Sequence, residues 1–205
     1  GEAPLQDSLY FDFTNTIEDQ LRYSNEVYED HNYDIGTWKG TWRDGSGWST
    51  VTIEDGCIST GMGEHTYAYV QTGGNGAGFL NYDPSEAQIV AVRFKLSEEV
   101  VITEETKAYF KFQVLKEGGG TELVYEEGIP FPADIDPHSG FVTLIGEISN
   151  EDILNAEFFN SLRVGISGLQ KCNGTITFDY IYVGPRSALP SEDRLLFHFT
   201  DKNED

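Results

Sequence analysis

Basic residues are scarce in this chain. Among its 205 residues, 13 are Lys or Arg and 35 are Asp or Glu, giving a formal net charge of -22 and a pI near 4.3. This balance argues against nucleic acid as a partner, because a phosphate backbone is held mainly by clustered Lys and Arg. It argues against an anionic membrane surface for the same reason. Long apolar runs are lacking too: no stretch of 18 apolar residues occurs, so no membrane insertion is expected. Cysteine is nearly absent. Cys57 and Cys172 are too few for a disulfide scaffold. A single pair in an oxidising compartment and two free thiols in the cytosol are both open. No secretory leader is present, but the chain starts at Gly1 rather than Met, which reads as trimming and leaves export open.

Aromatics and glycine are plentiful, at 13% and 22 residues. That mixture predicts many strands joined by tight turns. Leu9 to Phe13 reads as a short strand, and Asn15 with Glu18 as a capping box opening a short helix to about Tyr23. Further strands are expected at 49–53, 57–60, 65–72, 89–96, 108–116, 122–126, 141–145 and 162–166. Residues 128–140 carry three prolines and read as a loop, and Ser149-Asn150-Glu151-Asp152 as the start of a second short helix toward Asn160. The chain is therefore expected to be all-β: about ten strands in an antiparallel β-sandwich of the jelly-roll kind, with one or two short helices.

The longest strand is Thr175-Ile176-Thr177-Phe178-Asp179-Tyr180-Ile181-Tyr182-Val183, stopped by Gly184-Pro185. Strict alternation puts Ile176, Phe178, Tyr180 and Tyr182 on one face, and Asp179 with Ile181 and Val183 on the other. A carboxylate amid apolar neighbours needs a partner.

All three tryptophans lie in Trp38-Lys39-Gly40-Thr41-Trp42-Arg43-Asp44-Gly45-Ser46-Gly47-Trp48. Trp38 is expected in the core. Trp42 and Trp48, flanked by Lys, Arg, Asp, Gly and Ser, are expected at the surface, where a contiguous aromatic patch usually binds something. Pyranose rings offer C–H faces that pack on indole and phenol rings, and their hydroxyls need planar polar partners. The candidate ligand-binding residues are Trp42, Trp48, Arg43, Asp44, Tyr67, Tyr69, Gln71 and Tyr82.

A pattern also recurs. Asp7, Leu9, Phe11, Phe13, Thr14, Glu18 and Asp19 reappear as Asp193, Leu195, Phe197, Phe199, Thr200, Glu204 and Asp205, at a constant offset of 186. Residues 1–187 then form one module, and 188–205 a linker and the first strand of a following repeat, or a C-terminal extension.

The runs Leu-Tyr-Phe-Asp-Phe-Thr-Asn-Thr, Ile-Val-Ala-Val-Arg-Phe-Lys-Leu and Gly-Thr-Ile-Thr-Phe-Asp-Tyr-Ile-Tyr-Val-Gly-Pro resemble modules repeated in large secreted proteins of Gram-positive bacteria. More broadly they are similar to β-sandwich carbohydrate-binding modules. The resemblance implies a non-catalytic polysaccharide binder, secreted or at the cell surface, with neighbouring modules of the same polypeptide beside it. It also implies a structural Ca²⁺ between an acid of the first strand and an acid of the last, here Asp12 and Asp179, with Asp34 and Asn32 adding oxygens from a loop. The residues leave two alternatives: Asp12 and Asp179 face solvent, or they pair with Arg22 or Arg93. Because the tail carries His198 where the first strand has Asp12, the following repeat need not keep the ion.

Catalytic patterns are missing. The Glu-x-Asp-x-x-Glu run of jelly-roll glucanases and a Gly-x-Ser-x-Gly elbow are both absent. His31, His65, His138 and His198 stand singly, without zinc-binding spacing. No enzyme activity is expected. The competing reading is a structural or adhesion repeat of a bacterial surface protein with no sugar site.

Overall fold

The computed structural model describes residues 7–14, 23–24, 38–43, 47–73, 79–80, 82–115 and 121–189. Two antiparallel sheets dominate it. Sheet I runs β13 (Val142–Glu147), β10 (Ile89–Leu96), β15 (Thr175–Gly184), β7 (Cys57–Gly61) and β6 (Val51–Glu54), with β1 (Leu9–Phe11) also paired to β15. Sheet II runs β12 (Thr121–Pro130), β11 (Ile102–Leu115), β14 (Ser161–Leu169), β8 (Ala68–Gly73) and β3 (Trp38–Lys39). Two short ribbons complete the strands: β2 (Tyr23–Ser24) with β9 (Phe79–Leu80), and β4 (Trp42–Arg43) with β5 (Gly47–Trp48). The expected all-β sandwich is the architecture found.

One core lies between the sheets. Val90, Val92, Phe94, Ile176, Phe178, Ile181 and Val183 of sheet I share it with Val70, Phe110, Phe112, Leu162 and Val164 of sheet II. Each fully buried side chain of this size contributes roughly 1.5–3 kcal/mol. Trp38 closes one end. Its ring meets Phe11 edge-on at 5.1 Å and Phe13 at 5.3 Å, so the core place expected for it holds.

Several expectations need correction. Strict alternation along β15 fails at Asp179. The β10–β15 register pairs Arg93 with Tyr180 and Phe94 with Phe178, leaving Asp179 as an extra residue in a bulge. The bulge resets the phase. Ile176 and Phe178 face the core, and so do Ile181 and Val183, whereas Tyr180 and Tyr182 join a second cluster with Ile89, Ala91 and Leu189. The bulge also marks a change of neighbour: β7 pairs with residues 175–178 and β1 with 181–183.

The second helix is a single turn, α1 (Glu151–Leu154), capped by the Asn150 side chain accepting from the Asp152 N–H. β11 begins six residues before its expected start at Ala108, and β12 runs four past its expected end, to Pro130. The expected first helix from Asn15 falls mostly on residues outside those described, and residues 190–205, which carry the repeat, lie wholly outside them. Tyr82, expected at the sugar-facing surface, is buried in the core, where burial pushes its phenol far above the ordinary range. Cys57 and Cys172 are free thiols. No helix among the described residues is long and apolar enough to cross a membrane.

Candidate functional site

The outer face of sheet II gathers aromatic and planar polar side chains. Its geometry follows from the pleat. On β8, Ala68 and Val70 belong to the core between the sheets, so Tyr69 and Gln71 lie on the opposite face, where both are nonetheless largely covered. On β14 the same alternation sends Arg163 and Gly165 outward, and on β11 it sends Tyr109 and Lys111. Gln71 lies opposite Arg163, and Arg163 opposite Lys111.

The tryptophan loop reaches this face because its strand is interrupted. Had β3 continued without a break, Trp38 and Trp42 would point to the same side. Instead β3 ends at Lys39, and Gly40 and Thr41 turn the chain into the separate β4–β5 ribbon. Gly40 permits this turn: a Cβ there would stand 2.5 Å from Thr60 Oγ1 and 2.7 Å from the Ser49 carbonyl oxygen. Thr41 is fully buried and accepts the Tyr69 N–H at 3.2 Å, while its hydroxyl donates to the Gly61 carbonyl at 3.3 Å. The Trp42 N–H donates to the Tyr69 hydroxyl at 2.9 Å, tying the ribbon to the sheet.

An aromatic chain results. Trp42 and Trp48 meet edge-on at 5.2 Å, Trp48 meets Tyr69 at 6.4 Å, and Tyr69 stacks parallel to Tyr67 at 6.2 Å. His65 extends the stack beyond Tyr67 at 5.1 Å. Exposure is graded along it: Trp42 is 45% exposed and Tyr67 36%, while Tyr69 between them is only 2% exposed. Tyr69 is therefore a covered floor, and Trp42 and Tyr67 are the rings that reach solvent.

Polar groups flank this floor. Arg163 lies over the Tyr69 ring at 3.9 Å and donates from Nε to Gln71 Oε1 at 2.9 Å. Lys39 sits over the Trp48 ring at 5.1 Å, and Lys111 over Tyr109 at 5.3 Å. Glu126 of β12 bridges Lys107 at 3.3 Å and Lys111 at 3.8 Å. Gly165 separates Tyr69 from Tyr109. A Cβ there would come within 2.7 Å of the Tyr109 hydroxyl and 2.5 Å of the Ala68 carbonyl oxygen, so no side chain can stand between the rings. Burial pushes both phenols above their ordinary range, and the Arg163 charge opposes that rise in each.

Of the residues named from sequence, Trp42, Trp48, Tyr67, Tyr69 and Gln71 come together here. Arg43 is placed by its backbone opposite Gly47, and Asp44 lies outside the described residues. Tyr82 belongs to the core. Arg163, Tyr109, Lys111 and Lys39 were missed. The available signal was period 2: each shares a phase with polar or small neighbours along its strand, but only register shows that these strands are adjacent.

Two of the expected calcium ligands, Asp12 and Asp179, are described, and both are engaged within the protein. Asp12 Oδ1 accepts from the Thr14 N–H at 3.1 Å and its hydroxyl at 2.7 Å. Asp179 Oδ2 accepts from Arg93 Nε at 2.9 Å, the ion pair left open by the sequence, and Oδ1 lies 3.9 Å from the Cys57 sulfur. Both carboxylates lie toward the same end from the Phe11–Ile181 pair. Asn32 and Asp34 lie outside the described residues. Among the described residues no three His, Cys, Asp or Glu side chains gather as a metal cluster, and a guanidinium already balances Asp179.

No family model matches the chain, and no curated protein matches it. Solved structures of carbohydrate-binding modules are similar to it. The xylan-binding module CBM15 shares 19% identity over 76% of this chain and 94% of its own, with a TM-score of 0.42. The family 11 carbohydrate-binding module from Clostridium thermocellum, in complex with a beta-1,3-1,4-mixed-linked tetrasaccharide, shares 12% identity over 90% of this chain and 98% of its own (TM-score 0.43). CBM28, a non-crystalline cellulose specific module, shares 14% identity over 74% of this chain and 90% of its own (TM-score 0.40).

Proposed function

We propose that this chain is a non-catalytic carbohydrate-binding module that holds a polysaccharide on the outer face of sheet II. The observation that carries this reading is the graded aromatic chain Trp42–Trp48–Tyr69–Tyr67, exposed at both ends and flanked by the Gln71–Arg163 pair. Sugar C–H faces pack on Trp42 and Tyr67, while the Arg163 guanidinium, positioned by the buried Gln71 side chain, meets the polar groups of the sugar. Such a module works at the cell surface or in a secreted polypeptide, and neighbouring copies raise retention through avidity.

Affinity electrophoresis through gels containing single polysaccharides, preceded by a glycan array, tests the reading. Trp42→Ala combined with Tyr67→Ala is expected to abolish retardation while the urea midpoint stays close to wild type. Retardation that survives both changes would place the site elsewhere. Failure of the wild type to bind any glycan would favour the structural or adhesion repeat.

Calcium is a separate proposal. A structural ion held by Asp12 and Asp179, with Asp34 and Asn32, would have to compete with Arg93 for the Asp179 carboxylate. A calorimetric binding signal and an EDTA-dependent drop in Tm would support it, and the absence of both would remove it.

A further inference from the structure

Charge is distributed unevenly over this acidic molecule. The chain carries a formal net charge of -22. Yet the outer face of sheet II presents Lys39, Lys107, Lys111 and Arg163, with Glu126 as the acid bridging two of the lysines. Within that group Arg163 stands apart. Arg93 pairs with Asp179 and Arg186 with Glu147, each at 2.9 Å. Arg163 has no carboxylate partner among the described residues. Its contacts are a neutral amide oxygen, Gln71 Oε1, and the Tyr69 ring beneath it.

We propose that this face selects an anionic polysaccharide, with Arg163 receiving the carboxylate of a uronic acid residue. The proposal rests on the carbohydrate-binding reading above and names its ligand class. Gln71 occupies the Nε edge of the guanidinium, which leaves the two terminal nitrogens as a fork matched to a planar carboxylate. The Tyr69 ring packs 3.9 Å from the guanidinium carbon and restrains the fork, so less side-chain freedom is lost on binding. Repulsion from distant carboxylates does not cancel the effect, because at physiological ionic strength charges beyond about 8 Å are largely screened. A polymer docked on the aromatic chain therefore responds chiefly to the cations beside it.

The test uses matched pairs: glucuronoxylan, polygalacturonate and alginate, each against its own carboxyl-reduced derivative, titrated into the whole chain at 150 mM NaCl. The expected result is that at least one native polymer binds about tenfold or more tighter than its reduced form. Arg163→Gln is expected to bring that ratio to about one, whatever it costs the affinity for both members of a pair, and Arg163→Lys to restore only part of the ratio. Trp42→Ala is expected to weaken both members alike. Equal affinity of wild type for native and reduced polymers, with both dependent on Trp42, overturns the anionic preference and leaves the carbohydrate reading standing. A ratio unchanged in Arg163→Gln overturns the assignment to Arg163. Binding to no polysaccharide, acidic or neutral, overturns both proposals. The wild-type ratio decides the preference even if a variant folds poorly.

Discussion

The outer faces of the two sheets carry similar residues in opposite states. On sheet I, Tyr10, Tyr180 and Tyr182 form an edge-to-face cluster, with centroids 5.7 and 6.4 Å apart, and Leu189 is buried in the same cluster. The Tyr182 hydroxyl donates to the Pro185 carbonyl, holding the turn at residues 186–188 against the sheet. The nearby arginine, Arg93, is balanced by Asp179. On sheet II, Tyr67, Tyr69 and the Trp42–Trp48 ribbon form a comparable aromatic array whose ends are exposed, and among the described residues Arg163 has a neutral hydrogen-bond partner and no carboxylate. Residue type therefore does not distinguish a packed face from an open one. What distinguishes them is whether the chain covers the rings and supplies the counter-charge.

The largest effect that could break this comparison comes from truncating one tyrosine on each face. Tyr182→Ala removes a ring that is 1% exposed and should cost about 3–5 kcal/mol in urea unfolding. Tyr67→Ala should cost under about 1 kcal/mol, because its ring is partly exposed, and should instead weaken polysaccharide retention. Similar costs for the two would mean that the faces do not differ in packing.

A smaller effect is expected at Gly165. Gly165→Ala forces the Ala68 backbone or the Tyr109 hydroxyl to shift and should destabilise by about 1–3 kcal/mol. It should also separate Tyr69 from Tyr109, and so reduce binding by more than its stability cost implies. Wild-type stability together with wild-type binding would show that the floor tolerates a side chain.

The smallest effect concerns the counter-charge on sheet I. Asp179→Asn breaks an ion pair whose side chains are both partly exposed, and should cost about 0.2–1 kcal/mol. Its sharper signature is chemical. Burial pushes the Cys57 thiol up, and the Asp179 carboxylate beside it adds to the rise. Removing that charge lowers the thiol pKa toward its ordinary value, so the midpoint of iodoacetamide alkylation against pH should move down. An unchanged midpoint would show that burial alone governs Cys57.

How far the sequence could be read depended on the range of the interaction. β10 was legible to the residue, because a run of four apolar residues followed by the alternating Arg93-Phe94-Lys95-Leu96 carries its own signal. The core place of Trp38 and the outward place of Trp42 were legible from their flanks. The phase change in β15 was not. Asp179 sits in the bulge where β7 gives way to β1, and that handover involves strands more than a hundred residues distant in sequence. Tyr82 was misplaced because turn residues around it imply a surface, whereas its ring fills the core. Arg163 carried no local mark beyond the period-2 phase it shares with Ser161 and Gly165. Its significance lies in Gln71 and Tyr69 on one neighbouring strand, and Lys111 on the other.

By itself the sequence determined an acidic, all-β chain with a tryptophan-rich loop and a carboxylate in its longest strand that required a partner. These follow from composition and period-2 patterning, which are properties of contiguous residues. Tertiary structure decided that Arg93 is that partner, which aromatics are covered, and that Arg163 meets no carboxylate among the described residues. Strand register made those decisions, because it alone sets which side chains of distant segments share a face.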